Sequence, residues 1–279
     1  MRPLLTSLLA AAAVAAVPAA ASADSLITAA PRGENLTSGG GYLVWAAPAE
    51  GGGWDLVVRG PDGTVTAPAI PNFRTAPDPA IGSDSTDVRE RRLLAVYSRD
   101  GDVFALNLAT GAEERVAGAS TSAYEEYAPN VSFGRFAFVR RGGRDNGVFT
   151  LRDGRLRKVT SARPRELGFN GSRVAYPSGR NVVIRRVSGG GRPSIVRTPS
   201  PAFSIVLTRY TATWLVRGGH VLRTPRFGGS SDVDRVTSAR SASRRLPAST
   251  NSIADRRGLP GYALDAEGVK RIDPPLFRG

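Results

Sequence analysis

The chain has 279 residues, of which 38 are basic, 24 are acidic and none is cysteine. Without cysteine, the protein must be stabilised by packing and strand pairing rather than by disulfides, and the lipid anchor of bacterial lipoproteins is excluded. The 32 glycines and 20 prolines are spread along the whole sequence, which favours a fold with many turns.

The N-terminus has the features of a secretory signal peptide. Arg2 is the only charge before an apolar run over residues 4–17, and Ala21-Ser22-Ala23 fits the small-x-small cleavage pattern. The run is shorter than the roughly 20 apolar residues that a transmembrane helix needs. We therefore expect residues 1–23 to be a signal peptide removed near Ala23. Residues 24–279 should form one exported domain without a transmembrane segment, either periplasmic, held at the cell envelope or secreted.

An internal repeat fills the rest of the chain. Residues 159–163 (Val-Thr-Ser-Ala-Arg) recur identically at residues 236–240, and a looser copy lies midway at residues 195–198. A second series, of apolar strands, is aligned on six positions: Trp45, Val96, Phe138, Tyr176, Trp214 and Leu264. Each of these strands is followed by a turn, a second β-rich segment and a further turn rich in glycine or aspartate. A unit of four antiparallel strands in about 40 residues is typical of a propeller blade.

Six units of this kind fit the chain. We predict an all-β, six-bladed β-propeller in which the N-terminal strand, residues 25–30, pairs as the outer strand of the last blade. That pairing would close the ring and leave no exposed strand edge, which protects against aggregation. A five-bladed ring and an irregular sandwich are the alternatives.

The repeat resembles that of the TolB-like, or WD40-like, propeller family. The resemblance is carried by the strand Arg173-Val174-Ala175-Tyr176, a glycine-rich turn and the Lys158-Val159-Thr160 type of outer strand. The Ser-Pro-Asp-Gly hallmark of that family is replaced here, for example by Asn170-Gly171-Ser172. The resemblance implies a bacterial, periplasmic or extracellular scaffold that interacts with proteins.

Charge divides the chain into two halves. Residues 24–133 carry 8 basic and 15 acidic side chains, a net charge of −7, whereas residues 134–279 carry 29 basic and 9 acidic ones, a net charge of +20. Such a distribution bears on partners rather than on the fold. It favours an anionic partner outside the cell, which is either an acidic protein or an anionic polymer. Nucleic acid is not expected in that compartment, and we expect a monomer.

Two long connections are the predicted binding loops. The first, residues 67–92, carries Asp78, Asp84 and Asp87, with Glu90. The second spans residues 237–259 and carries five arginines: Arg240, Arg244, Arg245, Arg256 and Arg257. Both are expected to join an outer strand to the next blade, and therefore to emerge on the same face, where long loops on a rigid scaffold tend to bind ligands. The acidic and basic loops either pair with each other or present a dipolar mouth to a partner.

No catalytic site is recognised in the sequence. His220 is the only histidine, and no Gly-x-Ser-x-Gly elbow accompanies it, so a Ser-His-Asp triad is not indicated. Neither Asp100-Gly101-Asp102 nor Asp232-Val233-Asp234 supplies the ligands of a calcium loop. Three asparagines precede apolar strands and are candidates to face the central channel: Asn130, Asn170 and Asn251.

The leading hypothesis is therefore a non-enzymatic binding or scaffold protein at the cell envelope, without catalytic residues, metal or cofactor. The alternative is a propeller hydrolase or lactonase with a divalent metal, calcium, in the central channel.

Overall fold

The computed structural model describes residues 25–29, 32–87, 89, 91–207, 211–216, 220–223, 234–238, 261–264 and 268–272. All regular elements within these ranges are β-strands, which confirms the predicted all-β class. No helix in the described ranges is long and apolar enough to span a bilayer. The predicted signal peptide, residues 1–23, lies outside them.

Four antiparallel sheets of four strands each, here called blades 1 to 4, occupy residues 34–197. Blade 1 consists of β2 (Glu34–Gly39), β3 (Tyr42–Pro48), β4 (Trp54–Arg59) and β5 (Val65–Thr66). Blade 2 consists of β6 (Ala80–Ser83), β7 (Leu93–Arg99), β8 (Asp102–Asn107) and β9 (Glu113–Arg115). Blade 3 consists of β10 (Glu125–Ser132), β11 (Arg135–Arg141), β12 (Gly147–Arg152) and β13 (Arg155–Thr160). Blade 4 consists of β14 (Gly168–Phe169), β15 (Arg173–Ser178), β16 (Asn181–Arg186) and β17 (Ser194–Arg197).

Two further sheets include strands that are described by their backbone alone. One consists of β18 (Ala202–Leu207), β19 (Ala212–Val216), β20 (His220–Arg223) and β21 (Asp234–Ser238). The other combines the chain's first described strand, β1 (Ser25–Ala29), with β22 (Gly261–Leu264) and β23 (Gly268–Ile272), in the order β1-β23-β22. Successive four-stranded meanders, each packed on the next, form a β-propeller arrangement.

The core lies between adjacent blades, because each blade buries both faces of its second strand. The repeat positions Trp45, Val96, Phe138, Tyr176 and Trp214 are all buried, as the alignment of the repeats predicts. Phe138 and Phe149 of blade 3 pack with Leu94 and Val96 of blade 2, while Ala137 and Val139 on the opposite face pack with Val174 of blade 4. Because successive side chains of a strand point to opposite faces, blade 3 packs against blade 2 on one face and against blade 4 on the other.

A buried ion pair reinforces the seam between blades 2 and 3. Glu126 and Arg140 are opposite each other on β10 and β11, with 2.8 Å between Oε1 and Nε, and both side chains are almost fully buried. The guanidinium of Arg140 also lies 5.0 Å from the centre of the Phe149 ring. The neighbouring residue, Glu125, faces solvent, because adjacent residues of a strand point to opposite faces.

The inner strands of neighbouring blades approach each other so closely that side chains do not fit between them. A Cβ atom on Gly82 of β6 would lie 1.9 Å from the carbonyl oxygen of Val131 on β10. A Cβ atom on Gly168 of β14 would lie 2.8 Å from the carbonyl oxygen of Ile205 on β18. Glycine at these two positions is therefore required by space.

Replacement of Gly82 by alanine should destabilise the protein. The added methyl group can be accommodated only if β6 and β10 separate, and overpacking of this kind costs about 1–3 kcal/mol. Gly51→Ala is the matched control, because a Cβ at residue 51 meets no atom within 4 Å. Chemical denaturation of both variants measures the effect. Equal free energies of unfolding for the two variants would contradict the close approach.

Candidate functional site at the mouth of the channel

A cavity of about 650 Å³ lies where the inner strands of the propeller begin. Its wall contains residues of β2, β10 and β18 and of the segments that lead into β6 and β14. Because these strands belong to five successive sheets around one axis, the cavity is the mouth of the central channel. We call it the entry mouth. Its polar lining residues are Asn35, Asp78, Asn130, Arg163, Arg165, Glu166 and Ser204.

Bulges in alternate inner strands shape this mouth. Asn35 on β2, Ala128 on β10 and Ser204 on β18 have positive φ angles of 55°, 48° and 52°. The pairing of each of these strands with its neighbour shifts register at the same place. A bulge re-aims side chains and bends the strand, so that one blade can reach the next across the axis.

Hydrogen bonds from the bulged strands tie successive blades together. Asn35 Nδ2 donates to the carbonyl oxygen of Pro77 at 2.7 Å, just before β6. Asn130 Nδ2 donates to the carbonyl oxygen of Leu167 at 2.7 Å, just before β14. These amides hold the inner strands of the propeller in place. Asn130 therefore lies at the channel, as its position in the repeat predicts.

A carboxylate connects blade 4 to the fifth sheet. The backbone N–H of Ser204 on β18 donates to Glu166 Oε2 at 2.7 Å. Glu166 is half-buried and lies at the entrance to β14. Its carboxylate therefore contributes to the position of the fifth sheet.

Charged side chains at the rim are held outward by buried prolines. Pro77 and Pro79 are buried on either side of the exposed Asp78. On another part of the rim, the exposed Arg163 and Arg165 lie on either side of the buried Pro164. Proline fixes φ and reduces the conformational freedom of the chain, so these charges sit on rigid supports. The entry mouth thus has one acidic and one basic side.

The structure separates the three aspartates of the predicted acidic loop. Asp78 lies at the entry mouth, but β6 intervenes, since residues 80–83 pair with residues 93–96 of β7. Asp84 and Asp87 consequently lie beyond the other end of β6, in the turn to β7. Segment 67–92 is therefore not one connection that emerges on one face, and that expectation is corrected.

The carboxylates beyond β6 stabilise their own turn. Asp84 Oδ1 accepts a hydrogen bond from the backbone N–H of Arg92 at 2.8 Å, and Asp84 Oδ2 lies 2.5 Å from Arg92 Nε. Asp87 Oδ1 accepts from the backbone N–H of Arg89 at 2.9 Å. The five predicted binding arginines of the second loop lie outside the described residues: Arg240, Arg244, Arg245, Arg256 and Arg257.

Several residues of the mouth were not singled out by the sequence. Arg163 is the last residue of the Val-Thr-Ser-Ala-Arg repeat. That repeat predicts an outer strand and gives no indication that its arginine lies at the channel. Arg165 and Glu166 follow Arg163 after Pro164. Asn170, by contrast, lies in a hairpin turn, where its Oδ1 accepts from the backbone N–H groups of Ser172 and Arg173 at 3.1 Å and 2.8 Å. Asn251 lies outside the described residues.

The best-buried titratable groups lie away from the mouth. Burial, followed by the Glu113 carboxylate, raises the pKa of the Tyr97 phenol far above its usual range. Tyr97 donates to Glu113 Oε1, and Arg99 Nη2 donates to Glu113 Oε2 at 2.8 Å, all within blade 2. This arrangement connects strands β7 and β9. In the described part of the chain, no three His, Asp or Glu side chains are grouped closely enough to hold a metal ion.

Comparison with known proteins shows the fold. No protein-family model matches the sequence, and no curated protein matches it. Regucalcin of Agrobacterium tumefaciens, a calcium-binding protein, superposes with a TM-score of 0.54 at 12% identity, over 92% of this chain and 98% of that one. One chain of a nidogen/laminin complex superposes with a TM-score of 0.55 at 12% identity, over 74% of this chain and 81% of that one.

A third similar structure is a mutant puromycin hydrolase, with a TM-score of 0.55 at 13% identity. The match covers 89% of this chain but only 46% of the hydrolase. All three likenesses are to solved structures of low sequence identity. They support the β-propeller fold and leave function to the residues of the site.

Truncation of Asn130 should weaken the link between blades 3 and 4. In Asn130→Ala the buried carbonyl oxygen of Leu167 loses its donor, which costs about 1–3 kcal/mol. The half-buried Asn146, whose amide bonds remain within one exposed turn, provides the comparison variant Asn146→Ala. Urea unfolding monitored by tryptophan fluorescence gives the two free energies. A loss no larger in Asn130→Ala than in Asn146→Ala would show that the amide is dispensable.

Proposed function

We propose that the protein is a non-enzymatic, exported binding protein that acts at the cell envelope and engages an anionic partner through the entry mouth. The observation that carries this proposal is the pair of exposed arginines, Arg163 and Arg165, held on either side of the buried Pro164 at the rim of the cavity. Guanidinium groups on a rigid support are suited to carboxylate or phosphate groups.

The charge of blades 3 and 4 supports an anionic partner. Residues 125–197 carry 16 basic and 5 acidic side chains. Four of those five carboxylates pair with basic residues of the same blade: Glu125, Glu126, Asp145 and Asp153. The basic excess is therefore not neutralised within these blades. A field of this sign attracts anionic partners and speeds their association.

The fold that we propose for the whole mature chain is a closed six-bladed ring. The pairing of β1 with β23 supports this count, as does the proximity of β22 to β2 in blade 1. In such a ring, the part of the predicted arginine segment that directly follows β21 would emerge beside the entry mouth. Arg240, Arg244 and Arg245 would then extend its basic side.

The first test is sedimentation of the mature protein with the cell-envelope fraction of the producing organism across a salt series. We expect binding that falls steadily with salt, because screening weakens contacts between exposed charges. Arg163→Glu/Arg165→Glu should weaken binding at low salt about tenfold or more, since each charged hydrogen bond contributes on the order of 1.5–3 kcal/mol. Replacement of Arg240, Arg244 and Arg245 by serine should also weaken it.

The control variant is Arg89→Glu/Arg91→Glu, which changes the net charge equally. Both arginines are exposed in the turn between β6 and β7, at the other end of the propeller. If the two double variants bind equally well, the binding site is not the entry mouth. If the unmodified protein does not sediment with envelopes at low salt, the envelope-binding function is rejected.

A second function is favoured by one observation at the same place. Asn35, Asp78, Asn130 and Glu166, from four successive blades, bring amide and carboxylate oxygens to the entry mouth. The Oδ1 atom of Asn35 is buried without a hydrogen-bond partner in the described structure. Oxygen ligands of this type are those that calcium prefers. These residues would hold the ion in a calcium-dependent hydrolase or lactonase, where calcium would polarise a substrate carbonyl group.

Calcium titration distinguishes the two functions. If the mouth is a cation site, isothermal calorimetry should detect one calcium ion bound by the native protein and a loss of affinity of tenfold or more in Asp78→Asn. Asp87→Asn is the control, because Asp87 lies in the turn beyond β6. Failure to bind calcium, or equal affinity in both variants, excludes the metal-dependent function.

A further inference from the structure

A row of three arginines crosses blade 3 at the end opposite to the entry mouth. Arg135 of β11 is paired with Arg152 of β12, and Arg152 is paired with Arg155 of β13. Residues in direct register point to the same face of a sheet, and neighbouring strands are about 4.8 Å apart. We call these three residues the arginine ladder.

The backbone fixes the ladder in register. Asp153 and Gly154, with φ angles of 50° and 71°, form the two-residue turn between β12 and β13. Two positive φ angles are typical of a type I′ hairpin, which places the flanking residues, Arg152 and Arg155, directly opposite each other. The side chains lie on the face that carries Ala137 and Val148, which packs against blade 4.

The ladder lies along the outer part of the seam between blades 3 and 4. Arg135 Nη1 donates to the carbonyl oxygen of Gly171 of blade 4 at 2.8 Å, which anchors the first guanidinium. Arg152 and Arg155 are exposed. Blade 4 repeats the arrangement, because Arg173 of β15 is paired with Arg186 of β16. This pair lies on the face that carries Ala175, which packs against the sheet β18–β21, so it is a second basic pair at the next seam.

Like charges directly opposite each other destabilise a sheet. The carboxylate beside the ladder is that of Asp153, with 3.2 Å between its Oδ2 and Arg152 Nε, and both side chains are well exposed to solvent. An exposed pair of this kind contributes little. Apart from the hydrogen bond of Arg135 to Gly171, the fold does not require arginines in this row, since strand-forming residues such as threonine would pair there without repulsion.

We propose that the arginine ladder binds a linear polymer of phosphate groups. Guanidinium groups bind phosphate oxygens through two parallel hydrogen bonds, and their charge does not depend on pH. A row of three such groups, about 10 Å from first to last at the Cα atoms, can neutralise successive charges along one chain. A single phosphate ion would engage one or two of them. This site is separate from the entry mouth and does not rest on the function proposed for it.

The test measures binding of long-chain inorganic polyphosphate by fluorescence anisotropy at several salt concentrations. Arg155→Glu should weaken binding about tenfold, because the new carboxylate pairs with Arg152 and removes two guanidiniums from the ladder. The slope of log affinity against log salt should fall by about one or two counterions. Arg197→Glu makes the same change of net charge at an exposed position on β17 of blade 4, and should leave both values unchanged.

Stability separates loss of the site from loss of the fold. Since Arg155→Glu converts a repulsive cross-strand pair into an attractive one, its melting temperature should equal or exceed that of the unmodified protein. Weaker polyphosphate binding by a variant that is at least as stable supports the ladder. Equal loss in Arg197→Glu would show diffuse attraction and overturn the proposal. Poly-glutamate of the same charge that binds as tightly as polyphosphate would overturn the assignment of phosphate.

Discussion

The structure depends on one constraint, the crowding of inner strands around the propeller axis. At Gly82 and Gly168 the backbones of successive blades come so close that a methyl group would collide with a carbonyl oxygen. Side chains cannot fill this space, so neighbouring inner strands must be connected in another way. Bulges at Asn35, Ala128 and Ser204 provide this connection, because each bulge turns polar groups toward the next blade.

This solution divides the polar residues of the entry mouth into two groups. The amides of Asn35 and Asn130 and the carboxylate of Glu166 make hydrogen bonds to neighbouring strands, and they maintain the ring. Asp78, Arg163 and Arg165 are exposed beside buried prolines, and the two arginines can reach a ligand in the mouth. A polar channel in a propeller is therefore insufficient evidence for a metal or a catalytic centre, because much of its polarity can serve the architecture.

The sequence predicts the fold better than the site. The strands can be predicted because their burial depends on local side-chain chemistry. This chemistry is visible in the Val-Thr-Ser-Ala-Arg repeat and in the aromatic series through Trp45 and Trp214. The bulges could not be anticipated, because their positive φ angles occur at Asn, Ala and Ser, which share no sequence signal. Strand β6 is not predicted by the sequence either, because it has only four residues and its Gly82 is typical of a loop.

Asp78 shows how much of the site could be anticipated. The sequence predicts that it belongs to a long acidic binding loop, and it does line the entry mouth. The same argument predicts Asp84 as a binding residue, but Asp84 lies beyond the far end of β6. Sequence distance within a loop could not distinguish them, since their separation is created by hydrogen bonds between β6 and β7.

The pairing of β1 with β23 has a consequence for biogenesis. The partner of β1 is β23, the last of the described strands, so this sheet can form only after residues 268–272 have emerged from the ribosome. Until then the edge of β1 is open to other strands, including those of a second nascent chain. The chain has no cysteine, so no disulfide locks the pairing of β1 with β23. Any chaperone or translocation step that delays pairing until synthesis is complete would therefore protect this protein from strand exchange and aggregation.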